Sequence, residues 1–173
     1  MKRKAASKKA AVKKTSTPKK KVVKPIPDGY HAVTPYLGIR GAAAALDFYK
    51  KAFGARELLR MQAPGGKIGH AEVKIGDSIV MLADEFPEMG FLGPQSHGGT
   101  SVNLHLYVKN VDSVVAQAIA AGAKIVRPVK DEFYGDRAGM VEDPFGHRWY
   151  VATHKEELSK AEIRRRIEAM KQS

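Results

Sequence analysis

Cysteine does not occur among the 173 residues, which excludes disulfides, thiolate nucleophiles and zinc–thiolate sites. Long apolar runs are lacking too. None approaches the roughly 18 residues needed to cross a bilayer, and the N-terminus has no apolar core of a secretory signal. A reducing, cytoplasmic compartment and no membrane partner are the expectation. No aromatic residue precedes Tyr30 and no acidic residue precedes Asp28, so the leading segment is a pure polycation that cannot stack on bases. There is no Gly-Xaa-Ser-Xaa-Gly elbow and no glycine loop leading into Lys-Ser or Lys-Thr; serine-hydrolase and P-loop chemistry therefore have no foothold. Ser96-His97 lies in a Gly- and Pro-rich stretch without a third triad member.

What is present begins with an uneven charge. The formal +12 comes from 30 basic and 18 acidic residues. Eleven of the basic ones lie in residues 1–27, leaving nineteen basic against eighteen acidic in the rest. Residues 1–27 are Lys, Ala, Ser, Thr and Pro with scarcely any large apolar side chain, a composition expected to be disordered. Such an arm binds phosphate backbones by counterion release, without sequence readout; a solubilising or targeting extension is the alternative.

From Tyr30 onward the chain runs one layout twice, about seventy residues apart. The first pass is Thr34-Pro-Tyr-Leu-Gly-Ile39, a helical stretch, Phe53-Gly-Ala-Arg-Glu-Leu-Leu59 and Gly76-Asp-Ser-Ile-Val-Met-Leu82. The second is Asn103-Leu-His-Leu-Tyr-Val108, a helical stretch, Ala121-Gly-Ala-Lys-Ile-Val126 and Gly146-His-Arg-Trp-Tyr-Val151. A repeat at this spacing implies two strand–helix–strand units with a cleft between them. Alternation and turn residues predict strands over 33–39, 56–61, 68–75, 78–83, 102–108, 124–129, 139–142 and 148–153. Residues 84–100 and 131–136 read as loops. Leu46, Tyr49 and Phe53 mark one face of a helix over 41–53. Asn110 caps a second helix that Gly122 ends. Ser159-Lys-Ala-Glu162 is a capping box opening a last, amphipathic helix with Ile163, Ile167 and Met170 on one side, suited to packing on the domain or on a second subunit. The expected fold class is α+β: a 1–27 tail, one domain over 28–155 with modules at about 30–85 and 100–155, and a C-terminal helix within 156–173.

Three stretches are more specific: His70-Ala-Glu-Val-Lys-Ile-Gly-Asp77, Phe133-Tyr-Gly-Asp-Arg137, and Asp143-Pro-Phe-Gly-His-Arg-Trp149 running on to Ala152-Thr-His154. Over residues 30–155 they make the chain resemble the PhnB-like branch of the vicinal oxygen chelate superfamily, also called glyoxalase/bleomycin-resistance/dioxygenase proteins. The resemblance implies two paired βαβββ modules forming a curved mixed sheet around a cleft, and a homodimer. In metal-dependent members, His and Glu on the first and last strand of each module hold one divalent ion. Placed on that pattern, this sequence supplies Thr34, Met81, Asn103 and Tyr150, none a usual ligand for zinc, nickel or iron. No cofactor is therefore expected, and a divalent metal is disfavoured.

Strand alternation then predicts what lines the cleft. Leu104, Leu106 and Val108 face the helices, leaving Asn103, His105 and Tyr107 inward; Trp149 and Val151 leave Arg148, Tyr150 and Ala152 inward. With Tyr36, Met81 and Tyr134 these form an aromatic, hydrogen-bonding surface carrying one cation, suited to a planar or anionic small organic molecule. Plain core packing is the competing reading for the aromatics. His70 and Glu72, two apart on one strand, share a face and can act as base and orienting carboxylate, or as ligands with His105 as a third. That would make a lyase or dioxygenase-type enzyme with an unconventional metal or acid–base site. A solvated strand face is the plainer reading. Asp136 and Arg137 either contact ligand or pair with neighbours, while His147 and His154 read as structural or surface residues. A third class is an adaptor whose basic tail binds nucleic acid.

Overall fold

The computed structural model describes residues 23–171. Most of the basic arm, with its expected disorder and phosphate binding, lies outside the described residues. The first module runs β1 (Tyr36–Ile39), α1 (Ala42–Phe53), β2 (Arg56–Gln62), β3 (Ile68–Ile75) and β4 (Ser78–Asp84). The second runs β5 (Asn103–Tyr107), α2 (Val111–Ala120), β6 (Lys124–Asp131), β7 (Asp136–Glu142) and β8 (Arg148–His154), and α3 (Lys160–Met170) follows. Each module is a four-stranded mixed sheet, ordered β1-β4-β3-β2 in one and β5-β8-β7-β6 in the other. The first and last strands of each module pair in parallel and the rest antiparallel. The α+β architecture of two βαβββ modules is as expected.

Register shows the two halves to be copies. Tyr36 stands opposite Met81 and Ile39 opposite Asp84 in the first; His105 stands opposite Tyr150 in the second, which puts Thr153 in the place of Asp84. The two residues do the same work. Asp84 Oδ1 accepts the N–H groups of Gly41 and Ala42 at the start of α1, and Thr153 Oγ1 accepts that of Val111 at the start of α2. Each satisfies donors that the first turn of a helix leaves without partners. Asn110 adds the predicted side-chain cap, accepting Ser113 N–H. Gly54, at φ 64°, closes α1 in a left-handed conformation that side chains disfavour.

The helices are what join the modules. α1 buries Ala45, Leu46, Phe48, Tyr49 and Ala52, and α2 buries Val111, Val115 and Ala118. The two helices pack on each other, and Gln117 of α2 donates to the Lys51 and Ala52 carbonyls at the end of α1. Tyr49, fully buried, meets Trp149 of β8 edge-on at 5.5 Å. Each such side chain contributes about 1.5–3 kcal/mol on burial. Asp143 clamps this contact, accepting from the Tyr49 hydroxyl at 2.8 Å and from Trp149 Nε1 at 3.0 Å.

Boundaries depart from expectation in three places. β1 begins at Tyr36 rather than near residue 33, because Pro35 has no N–H and Thr34 turns its hydroxyl back onto the His31 carbonyl at 3.1 Å. The loop expected over 131–136 is a tight β6–β7 turn whose ends, Asp131 and Asp136, belong to strands. The long loop after β4 folds back on itself through a Phe86–Phe91 bridge. It is held by Glu85, which accepts from Gly93 N–H and the Ser96 hydroxyl.

Candidate functional site

Each sheet turns one face to its helix and offers the other. In the first sheet Leu37, Ile39, Val80, Leu82, Ala71 and Val73 are buried, and strand alternation leaves Tyr36, Met81, His70 and Glu72 on the opposite face. These form a hydrogen-bonded chain. His70 Nδ1 lies 3.0 Å from the Tyr36 hydroxyl and its Nε2 3.1 Å from Glu72 Oε1. The Tyr30 hydroxyl donates to Glu72 Oε2. On this face Glu72 is 9% exposed, His70 is half-buried and Tyr36 is exposed. The Tyr30 hydrogen bond, aided by His70, holds the Glu72 carboxyl below its usual range against the opposing pull of burial. The Tyr36 ring packs edge-on against His70 and tilts against Phe91, and burial pushes its hydroxyl pKa up.

The second sheet presents rings. His105 stacks on Tyr107 at 4.5 Å and tilts against Tyr150 at 5.0 Å. The Tyr150 and Tyr134 hydroxyls are 2.7 Å apart, and burial followed by the Tyr150 hydrogen bond pushes the Tyr134 hydroxyl well up. Tyr107 donates to Asp136, whose other oxygen meets His154 Nδ1 at 2.7 Å. Arg148 Nε is paired with Glu142 at 3.1 Å, while the Arg127 guanidinium stands over the Tyr150 ring at 5.6 Å. Arg137 pairs with Asp112 and Asp131, which is the neighbour-pairing arrangement. Asn103, His105 and Tyr107 are exposed.

Two clefts lie between the modules, one bordered by β1 and the other by the β3–β4 hairpin, with β5 contributing to both. One of about 360 Å³ includes Tyr36, Gly38, Leu92, His97, Leu104 and His147 in its wall. The other, of about 300 Å³, takes Val33, Pro35, Asn103 and His105 among its lining. Of the predicted lining residues, Tyr36, Asn103 and His105 reach these clefts. Tyr107 borders a shallower depression with His154, and His70 and Glu72 belong to the first face while His105 belongs to the second. Tyr30 and Arg127 were not predicted. Tyr30 precedes any periodic segment and left no signal; Arg127 joins the row Arg127, Met140, Tyr150 through a register that shifts on either side of it, which strand alternation does not reveal.

The four positions that the family resemblance sets aside for a metal carry side chains poorly suited to one. Thr34 lies before β1 with its hydroxyl on a backbone carbonyl, Met81 offers a thioether, Asn103 a neutral amide, and Tyr150 a phenol bonded to Tyr134. Hard and borderline divalent ions take imidazole or carboxylate in preference to any of these. Among the described residues no three His, Asp or Glu side chains are grouped to hold an ion.

His147, 8% exposed, bonds the Gly38 carbonyl across the modules at 3.2 Å. Burial pushes its pKa below the ordinary value of 6.5. The folded state therefore holds it neutral where the unfolded chain would bind a proton, so stability falls as pH drops below about 6.5 and levels off under the folded-state pKa. The urea midpoint is expected to decline between pH 7.5 and 5.5 (about two units spanning this window), and His147→Gln should flatten that decline.

Residues 31–151 match the family model of the Glyoxalase/Bleomycin resistance protein/Dioxygenase superfamily. An uncharacterized protein of Mycobacterium tuberculosis is 44% identical over 135 residues, covering 76% of this chain and 79% of its own. Among solved structures, TioX from Micromonospora sp. ML1 is 29% identical with a TM-score of 0.57, over 75% of this chain and all of that one. TnmS3, an antibiotic binding protein from Streptomyces sp. CB03234, shares the fold at 22% identity and a TM-score of 0.53, over 73% of this chain and all of its own.

Proposed function

The chain belongs to the Glyoxalase/Bleomycin resistance protein/Dioxygenase superfamily, and we propose that it is a PhnB-like member that binds a small planar organic molecule without the superfamily's usual metal. The observation that carries this reading is the contiguous ring surface of His105, Tyr107 and Tyr150, flanked by the Tyr134 hydroxyl and by Arg127 and Arg148. Stacking holds a flat ligand on such a surface, and the hydroxyls and guanidinium groups orient its polar edge. TnmS3 supports the reading as an instance of this fold serving a binding role.

Tyr36 is 47% and Tyr107 61% exposed, so both faces stand open in a single chain. A homodimer that lays one module's face against the other's would enclose the ligand. A second reading, acid–base catalysis, draws on the hydrogen-bonded His70–Glu72 pair.

The test is fluorescence titration of untagged protein with a panel of planar aromatic antibiotics, alongside metal analysis and light scattering. The expected outcome is saturable binding, a substoichiometric metal content, twice the chain mass, and about tenfold weaker binding by Tyr150→Ala. One tightly held divalent ion per chain, or no binding by any of the panel, would overturn the proposal.

A further inference from the structure

In the chain Tyr30–Glu72–His70–Tyr36 every hydrogen bond but one has a fixed direction. An ionised carboxylate only accepts. Glu72, with Tyr30 on one oxygen and His70 Nε2 on the other, therefore requires a proton on Nε2 in either charge state of the ring. Nδ1, facing the Tyr36 hydroxyl, is the free variable. In the neutral ring it is a bare lone pair; the Tyr36 O–H turns inward to it, and the phenol oxygen shows the solvent-facing side only lone pairs. In the imidazolium, Nδ1–H donates to the phenol oxygen and the O–H is released outward. One proton thus converts Tyr36 from an acceptor to a donor.

We infer that Tyr36 is a proton-switched recognition site for an anionic oxygen on the ligand, of the carboxylate, phenolate or enolate class, and that such a ligand binds with uptake of one proton onto His70 Nδ1. This rests on the ligand-binding reading above. No covalent bond changes: the proton comes from solvent and stays on the ring.

The surroundings leave the ring's charge to this chain. β1 contributes Tyr36, and the segment before it Tyr30. From β2 the residue opposite His70 is Met61, and β4 places Met81 opposite Glu72. Phe91, from the loop, meets Tyr36. On β3 itself Lys74 lies beyond Glu72 on the same face, in register with Arg56. Asp84 is turned to the helix side, where Gly41, Ala42 and Ile68 N–H groups occupy its oxygens, and Arg60 is engaged by Glu57. Glu72 is the carboxylate that touches the ring.

The test is calorimetric titration of the full chain with 2-naphthoate, and with uncharged 2-naphthamide, from about pH 6 to 8.5, the range in which an imidazole titrates and a carboxylate does not. Two buffers of different ionisation heat count the protons taken up. Naphthoate affinity should fall as pH rises, approaching about tenfold per pH unit, with uptake rising toward one proton, while naphthamide shows no such slope. Tyr36→Phe, which keeps the ring, and His70→Gln should each flatten the naphthoate profile. Naphthoate binding without proton uptake, or a slope that survives His70→Gln, overturns the inference and leaves the binding reading intact. Failure of both probes to bind overturns the inference and counts against the binding reading as well.

Discussion

Asp143→Ala is expected to lower the unfolding free energy by about 4 kcal/mol, read from urea denaturation by circular dichroism. The carboxylate is 3% exposed and accepts four hydrogen bonds. Oδ2 takes the Tyr49 hydroxyl and Trp149 Nε1, and Oδ1 takes the N–H groups of Phe145 and His147 at 2.9 Å each. Truncation strands two buried side-chain donors and frees the turn before β8. An orphaned buried donor costs about 1–3 kcal/mol, and two of them with the turn contacts give the figure. Asp143→Asn keeps one acceptor oxygen and should lose roughly half as much. Because Tyr49 sits on α1 and Trp149 on β8, the bridge spans the modules, so unfolding of the variant should broaden as they uncouple. A loss below about 1 kcal/mol would mean that water replaces the carboxylate, and the bridge would lose its structural role.

The second large effect belongs to a pair of glycines. Gly38 of β1 and Gly93 of the long loop approach so closely that a Cβ on Gly38 would stand 2.6 Å from the Leu92 carbonyl oxygen, and one on Gly93 2.4 Å from that of Gly38. Backbone lies on both sides, so no rotamer change relieves the clash. The loop is moreover pinned by Glu85 through Gly93 and Ser96, and the Gly38 carbonyl is occupied by His147. Gly38→Ala is expected to cost about 3 kcal/mol, the upper range for an overpacked site. It should also displace the loop that walls the larger cleft, visible as faster amide exchange over the residues after β4. Unchanged exchange there, with unchanged stability, would contradict the close approach.

Why some elements were legible and others not follows from where their partners lie. β3 announces itself because Ala71, Val73 and Ile75 alternate with His70, Glu72 and Lys74, and one set is buried. α1 is equally plain, since its apolar spacing and Gly54 are local signals. β6 was legible over 124–129, and what was missed is its extension to Asp131 past Pro128 and the register shifts. The start of β7 was hidden because Asp136, a polar residue that reads as loop, is buried against Tyr107 and His154, partners distant in sequence. The same distance concealed the site's proton chain. The shared face of His70 and Glu72 followed from alternation, but nothing in the residues before β1 indicated that Tyr30 returns to Glu72. Alternation did place His105 with Tyr107 and Tyr150, but it did not show that this face and that of His70 belong to different sheets.

Asp84 and Thr153 fill the same corner of the two halves with different chemistry: a charged group in one, a neutral alcohol in the other. What the two halves share at that corner is a lone pair held in front of a helix's first amide, supplied by a different residue in each. The likeness of the halves is better seen by matching acceptors to the amides they serve than by matching amino acids.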